Sequence, residues 1–203
     1  GKDALKANTT GTRNTAVGAS SLDVNTTAVD NTGIGFNSLS DNTTGAVNTA
    51  VGSYSMYSNI TGNNNTATGY YALGTNTSGS SNVATGVSAL QNNLASNNTA
   101  VGHDALKLNT TGANNTAVGR LALKSNTTAD HNTGLGRDAL TANTTGQQNT
   151  ALGSNSMSVN TTGSDNVAIG YSALDANTTG ANNAAFGRSS LSANTTGASN
   201  TAL

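Results

Sequence analysis

Twelve glycines punctuate this chain at an almost constant interval: Gly1, Gly18, Gly35, Gly52, Gly69, Gly86, Gly102, Gly119, Gly136, Gly153, Gly170 and Gly187. Every step is 17 residues except Gly86 to Gly102, which is 16. This regularity constrains the fold more than any other feature, because self-similarity at a short fixed spacing is the signature of units that stack on one another. The clearest copy, Asn98 to Asn114 (NTAVGHDALKLNTTGAN), numbers the repeat from 1 to 17 and puts the recurrent glycine at position 5.

Four further features recur. Position 1 is Asn in every copy, as at Asn14, Asn48, Asn98, Asn115, Asn149 and Asn166, and so is position 12, as at Asn8, Asn42, Asn109, Asn143 and Asn177. Position 9 is Leu apart from Met56 and Met157, and positions 3 and 8 hold only Ala, Gly or Ser. The short repeat occurs where NTTG has become Asn93-Leu94-Ala95-Ser96. The lost residue therefore falls in a connection, where deletions are tolerated. Residues 1–203 read as a single array of twelve repeats, one of them shortened near 93–97. With no atypical capping repeat at either end, the array is expected to be a window of a longer fibre.

Low charge with abundant Asn, Thr, Ser and Gly would also suit a disordered segment, but such chains do not hold twelve repeats in phase. Thr, Asn and Gly are poor helix formers. The expected fold is all-β: a parallel β-solenoid of about twelve 17-residue coils, with equivalent residues stacked about 4.8 Å apart. Within NTAVG, alternation puts positions 2 and 4 on one face and 1, 3 and 5 on the other. Position 4 is usually Val, Ile, Leu or Phe, so that face is expected to point inward and meet position 9. The expected core is then Val17, Leu22, Val101, Leu106, Ile169 and Leu174.

Gly18, Gly52, Gly102, Gly119, Gly153 and Gly170 are expected to turn the chain between strands, with help from the frequent Gly at position 15. The two Asn columns read as a structural ladder at turns, where Asn tolerates left-handed backbone and amides can bond the copies above and below. One aliphatic pair per coil is a thin core for so many ordered residues. Obligatory small residues at 3 and 8 are expected to press against another chain, making a homo-oligomer.

The segment Asn166-Val167-Ala168-Ile169-Gly170-Tyr171-Ser172-Ala173, with NTAVG at Asn14, Asn48, Asn98 and Asn115, resembles the head repeat of trimeric autotransporter adhesins, NSVAIGxxS. The longer phrase NTAVGxxALxxNTTG resembles repeats of phage tail-fibre-like and bacterial surface proteins. The resemblance implies a left-handed roll wound as a tight homotrimer, displayed extracellularly on a cell or virion surface, where such proteins contact a host. The period here is longer than in the adhesin heads, with the extra residues in the NTTG connection.

Charged residues are 8% of the chain and the formal net charge is -1, so nothing marks a nucleic-acid footprint. No apolar run is long enough to span a bilayer, so no membrane insertion is expected in this segment. There is no Cys. His103 and His131 occupy different repeat positions, and the Asp residues scatter without register. No catalytic residue, metal site or cofactor is therefore assigned, and the chain is not expected to be an enzyme. The Asn-x-Thr/Ser sequons at position 12 read as turns, since neighbouring rungs leave no room for a branched glycan on every one; sparse glycosylation, or sugar on Thr hydroxyls, stays open. Variation gathers at positions 6 and 7, which follow the turn glycine. Tyr70, Tyr71, Arg120, Arg137, Tyr171 and Arg188 there form a candidate binding edge for surface glycans or a host receptor. The expected function is the stiff shaft of a surface fibre. A binding module using that edge is the alternative, and a Thr-bearing ice-binding solenoid a third.

Overall fold

The computed structural model describes residues 1–203 and is all-β, with one short parallel strand per repeat and no helix. It comprises two compact halves, Gly1–Asn98 and Thr99–Leu203. The boundary follows directly on the shortened repeat. The N-terminal half carries β1 (Thr15–Val17), β2 (Thr32–Ile34), β3 (Thr49–Val51), β4 (Thr66–Thr68) and β5 (Val83–Thr85). The C-terminal half carries β6 (Thr99–Val101), β7 (Thr116–Val118), β8 (Thr133–Leu135), β9 (Thr150–Leu152), β10 (Val167–Ile169), β11 (Ala184–Phe186) and β12 (Thr201–Ala202).

Within each half the strands pair in sequence order, parallel and in the register of the repeat. Thr15 lies beside Thr32 and Thr32 beside Thr49; Thr116 lies beside Thr133 and Thr133 beside Thr150. Each repeat is thus one coil of a parallel β-solenoid, as its periodicity requires.

The inward and outward faces of the strands are the reverse of the expectation from alternation. Position 3 is the inner one: Ala50, Ala67, Ala100, Ala117, Ala151 and Ala168 are wholly buried, as are Leu22, Leu106 and Leu174 of position 9. Positions 2 and 4 face outward. Val17 and Val101, expected in the core, are 55% and 37% exposed, and Ile169 is only half-buried. Size is the reason. A Cβ built on Gly134 would stand 3.3 Å from Leu123 Cγ, so opposite a position-9 leucine the lumen admits a methyl group and nothing larger. A Val or Leu can only go outside.

The same burial corrects the expected interface. Positions 3 and 8 are small because they fill their own coil: Ala72, Ala105, Ala122 and Ala173 of position 8 are fully buried and cannot meet another chain. Where Ser replaces Ala at position 8, its hydroxyl finds a backbone carbonyl: in the next coil for Ser21, Ser38 and Ser55, as Ser38 Oγ donates to Ala50 O at 3.0 Å, and in its own turn for Ser156 and Ser190, as Ser156 Oγ donates to Gly153 O at 2.8 Å.

The turns also differ from expectation. Left-handed backbone is carried not by the recurrent Asn but by positions 7, 9 and 17 of every repeat, together with the position-5 glycine. Leu106 has φ 50° and Met56 φ 51°, a conformation that costs a side-chain-bearing residue about 1–2 kcal/mol. In return it throws the side chain into the lumen and aims the amide along the stack: Leu106 N donates to Ala122 O at 3.0 Å. Gly52 illustrates the position-5 requirement. Its φ is 133°, and an added Cβ would stand 2.7 Å from Gly69 O. Position 15 needs Gly for space rather than for φ, since a Cβ on Gly45 would lie 2.7 Å from Asn59 Nδ2.

Candidate functional site

The Asn columns are interior. At position 12, outside the shortened repeat, the Nδ2 donates along the column to Oδ1 of the preceding copy, as from Asn42 to Asn25 (3.2 Å) and from Asn143 to Asn126 (3.0 Å), and also to the carbonyl three residues on, as from Asn42 to Gly45 (2.9 Å). At position 1 the backbone N–H takes the partner role: Asn48 N donates to Asn31 Oδ1 at 2.9 Å, while Asn31 Nδ2 closes the coil onto the same Gly45 carbonyl at 2.8 Å. The two columns therefore converge on one carbonyl per coil and pass a second bond to the neighbouring coil. Asn8, Asn14, Asn109, Asn115, Asn149, Asn166 and Asn177 belong to this framework, and all of them except Asn8 and Asn14 in the first coil are fully buried. The N-terminal column ends at Asn76, whose buried Oδ1 has no partner, because in the shortened repeat Asn93 Nδ2 turns to Ala95 O at 2.7 Å.

Since the interior is committed to holding the coil, any site lies outside. Neither half holds a ligand-sized cavity, and no group of His and Asp residues is gathered to hold a metal ion. The first outer feature is the exposed strand face of each half, where Thr at position 2 runs beside aliphatic residues at position 4, Val17 and Ile34 in the N-terminal half and Leu135 and Leu152 in the C-terminal half.

The second is the edge formed by positions 6 and 7. Tyr70, Arg120, Arg137, Tyr171 and Arg188 are exposed there, while Tyr71 is half-buried. In the C-terminal half this edge is charged. The Arg188 guanidinium lies 5.5 Å above the Tyr171 ring, Arg137 pairs with Asp138 at 3.2 Å, and Lys107 Nζ lies 3.0 Å from Asp104 Oδ1. In the N-terminal half it is aromatic. Tyr54 touches Phe36, Tyr57, Tyr70 and Tyr71, with ring centroids between 5.1 and 6.1 Å apart.

Sequence reasoning singled out Tyr70 and Tyr71 as site residues but not the ring between them and Phe36, nor Tyr57. The missing signal is geometric. Positions 6 and 7 of one coil lie beside those of the next, and left-handed residues at 7 and 9 bring position 10 round to the same side.

Two charge pairs complete the surface. Arg13 Nη2 donates to Asp30 Oδ2 at 2.7 Å; this bond and the attraction behind it hold the Asp30 carboxyl below its ordinary range and push Arg13 up. Asp41 is shifted the other way, raised first by burial and then by the carboxylate of Asp23. Comparison with protein-family models, with characterised proteins and with solved structures gives no match.

Proposed function

We propose that this chain is the structural shaft of a surface fibre, extracellular or on a virion, in which chains associate as a homo-oligomer, taken as a trimer. The observation that supports this reading most is the exposed strand face. The interior of each coil is fully used by hydrogen bonds and one aliphatic side chain, yet in the C-terminal half Leu135, Leu152 and Phe186 stand outward in a rank, each 37–40% exposed. Contiguous apolar surface on a soluble protein marks an association site. Pressing such ranks together would supply the core that a single coil lacks. The contact expected between chains thus moves from positions 3 and 8 to positions 2 and 4. The shaft works mechanically, as a stiff spacer built from identical coils.

Light scattering on the purified chain tests this. A trimer is expected, and Leu135→Lys with Leu152→Lys should shift it to monomer without loss of the β-type circular dichroism spectrum. A native chain that stays monomeric at all concentrations would sink the proposal.

One observation favours a second reading. The Thr rank at position 2 is exposed, and Thr66-Ala67-Thr68 presents two outward Thr on a single strand, so the face offers a regular array of hydroxyl and methyl groups of the kind that could order water into ice. An oligomer that buries this face could not present it to ice. Thermal hysteresis in a monomeric sample would therefore support ice binding and count against the shaft.

A further inference from the structure

We propose that Phe36, Tyr54, Tyr57, Tyr70 and Tyr71 form a binding platform for a neutral oligosaccharide. Five of the seven aromatic residues of the chain meet in this one patch. Tyr54 and Tyr71 stack face to face, with centroids 5.1 Å apart and planes within 16°. Phe36 and Tyr70 approach Tyr54 at 85° and 84°, and they remain 47% and 50% exposed.

Three observations separate this patch from scaffold. First, it does not repeat. The same positions hold Ala19 and Ser20 before it, Val87 and Ser88 after it, so the coil is built equally well without the rings, and what a repeat protein does once is not what its fold requires. Second, it opposes local preference. Position 7 is left-handed in every coil and mostly holds Asp, Asn or Ser, which tolerate that conformation, whereas Tyr54 and Tyr71 adopt φ of 57° and 55° where a bulky side chain is an outlier. Third, no group of the chain hydrogen-bonds to any of the four phenol hydroxyls, so each keeps its donor and acceptor for a ligand.

Charge then selects the ligand. No Asp, Glu, Lys or Arg occurs between Asp41 and Asp104. The patch thus lies in an uncharged stretch rich in amides and hydroxyls, without the cations that a phosphate, sulfate or uronate requires. A second copy of the chain fits less well, since a dry contact would bury unpaired phenol hydroxyls. A neutral sugar meets both demands: its C–H faces lie against rings, and its hydroxyls pair with the phenols.

The test uses the whole chain on a printed panel of neutral oligosaccharides (linear glucans, mannans, galactans and chito-oligosaccharides) alongside sulfated and uronate-containing ones, followed by calorimetric titration of the best ligand. Tyr70→Ser, Tyr71→Ser and Phe36→Ser should each weaken binding to a neutral member about tenfold or more. Tyr171→Ser, at the same repeat position outside the patch, should not. Ser already occupies position 7 in Ser20, Ser88 and Ser172, and unchanged circular dichroism would confirm that the variants fold. The proposal is overturned if no neutral member binds, if only anionic ones do, or if patch variants bind as the native chain does. It is equally overturned if patch variants lower the mass in light scattering, which would make the patch a chain–chain contact. Retained mass with lost sugar binding leaves the shaft reading standing, so the two proposals can fail separately.

Discussion

Ala100 and Val101 are adjacent on β6, yet one is wholly buried and the other 37% exposed. The same contrast holds at Ala168 and Ile169 on β10, with the smaller side chain always inside. The solenoid therefore inverts the usual arrangement, in which the larger apolar group takes the core. The inner face is limited by volume and by hydrogen bonding; the outer face is free to vary and carries whatever the chain does. Substitutions should divide along that line.

The largest effects are expected inside. Leu106→Ala removes the only large apolar side chain buried inside its coil and should cost about 2–5 kcal/mol, read as a lowered denaturant midpoint, while Val101→Ala on the neighbouring strand should cost no more than about 0.5 kcal/mol in monomeric protein. Equal losses at the two positions would mean that the faces are assigned wrongly. Next comes Ala117→Leu, in a lumen with room for a methyl group only: overpacking of about 1–3 kcal/mol is expected, whereas Val118→Leu outside should be nearly silent. Asn143→Leu follows. It leaves Asn126 Oδ1 with only the long bond from Asn132 Nδ2 at 3.4 Å, and Asn160 Nδ2 loses the oxygen that accepts it at 2.9 Å, so a loss of about 1–3 kcal/mol is expected. Gln147→Leu, on the exposed surface of the same coil, should leave the midpoint unchanged.

Periodicity alone made the coil legible, because the spacing of Gly and Asn states how many residues return the chain to its starting point. The amide ladder was legible too, since an Asn in every copy of two columns implies a partner one period away. The direction of the strand faces was not. Alternation shows that Ala100 and Val101 point opposite ways but not which way is in, and hydrophobicity chooses wrongly when the lumen is too narrow for Val. The role of position 9 was legible and its backbone was not, since nothing in the letters of Leu106 announces a left-handed residue. Of the aromatic patch, Phe36, Tyr54, Tyr70 and Tyr71 were visible as departures from the repeat at positions 6 and 7, while Tyr57 joined them, and Tyr54 became their centre, only once adjacent coils were laid side by side.

The smallest expected effect sharpens the contrast from its border, where a charge is partly drawn in. Asp41 is half-buried beside Asp23, and both burial and that neighbour raise its carboxyl above the ordinary value. A carboxyl whose folded pKa lies above its unfolded one favours the fold when protonated. That contribution is complete below the unfolded value and is lost as pH rises through the folded one. At neutral pH Asp41 is therefore a mild liability, and Asp41→Asn should raise the denaturant midpoint by an amount worth about 0.5 kcal/mol or less. The gain should vanish when the comparison is repeated at a pH below the ordinary carboxyl range. Asp30, held down by Arg13, should behave oppositely: its contribution is present above the unfolded value and fades as pH falls through the folded one, so Asp30→Asn should give no gain at neutral pH. If both substitutions stabilised equally, the difference would lie in net charge alone rather than in the local burial that separates the two carboxyls.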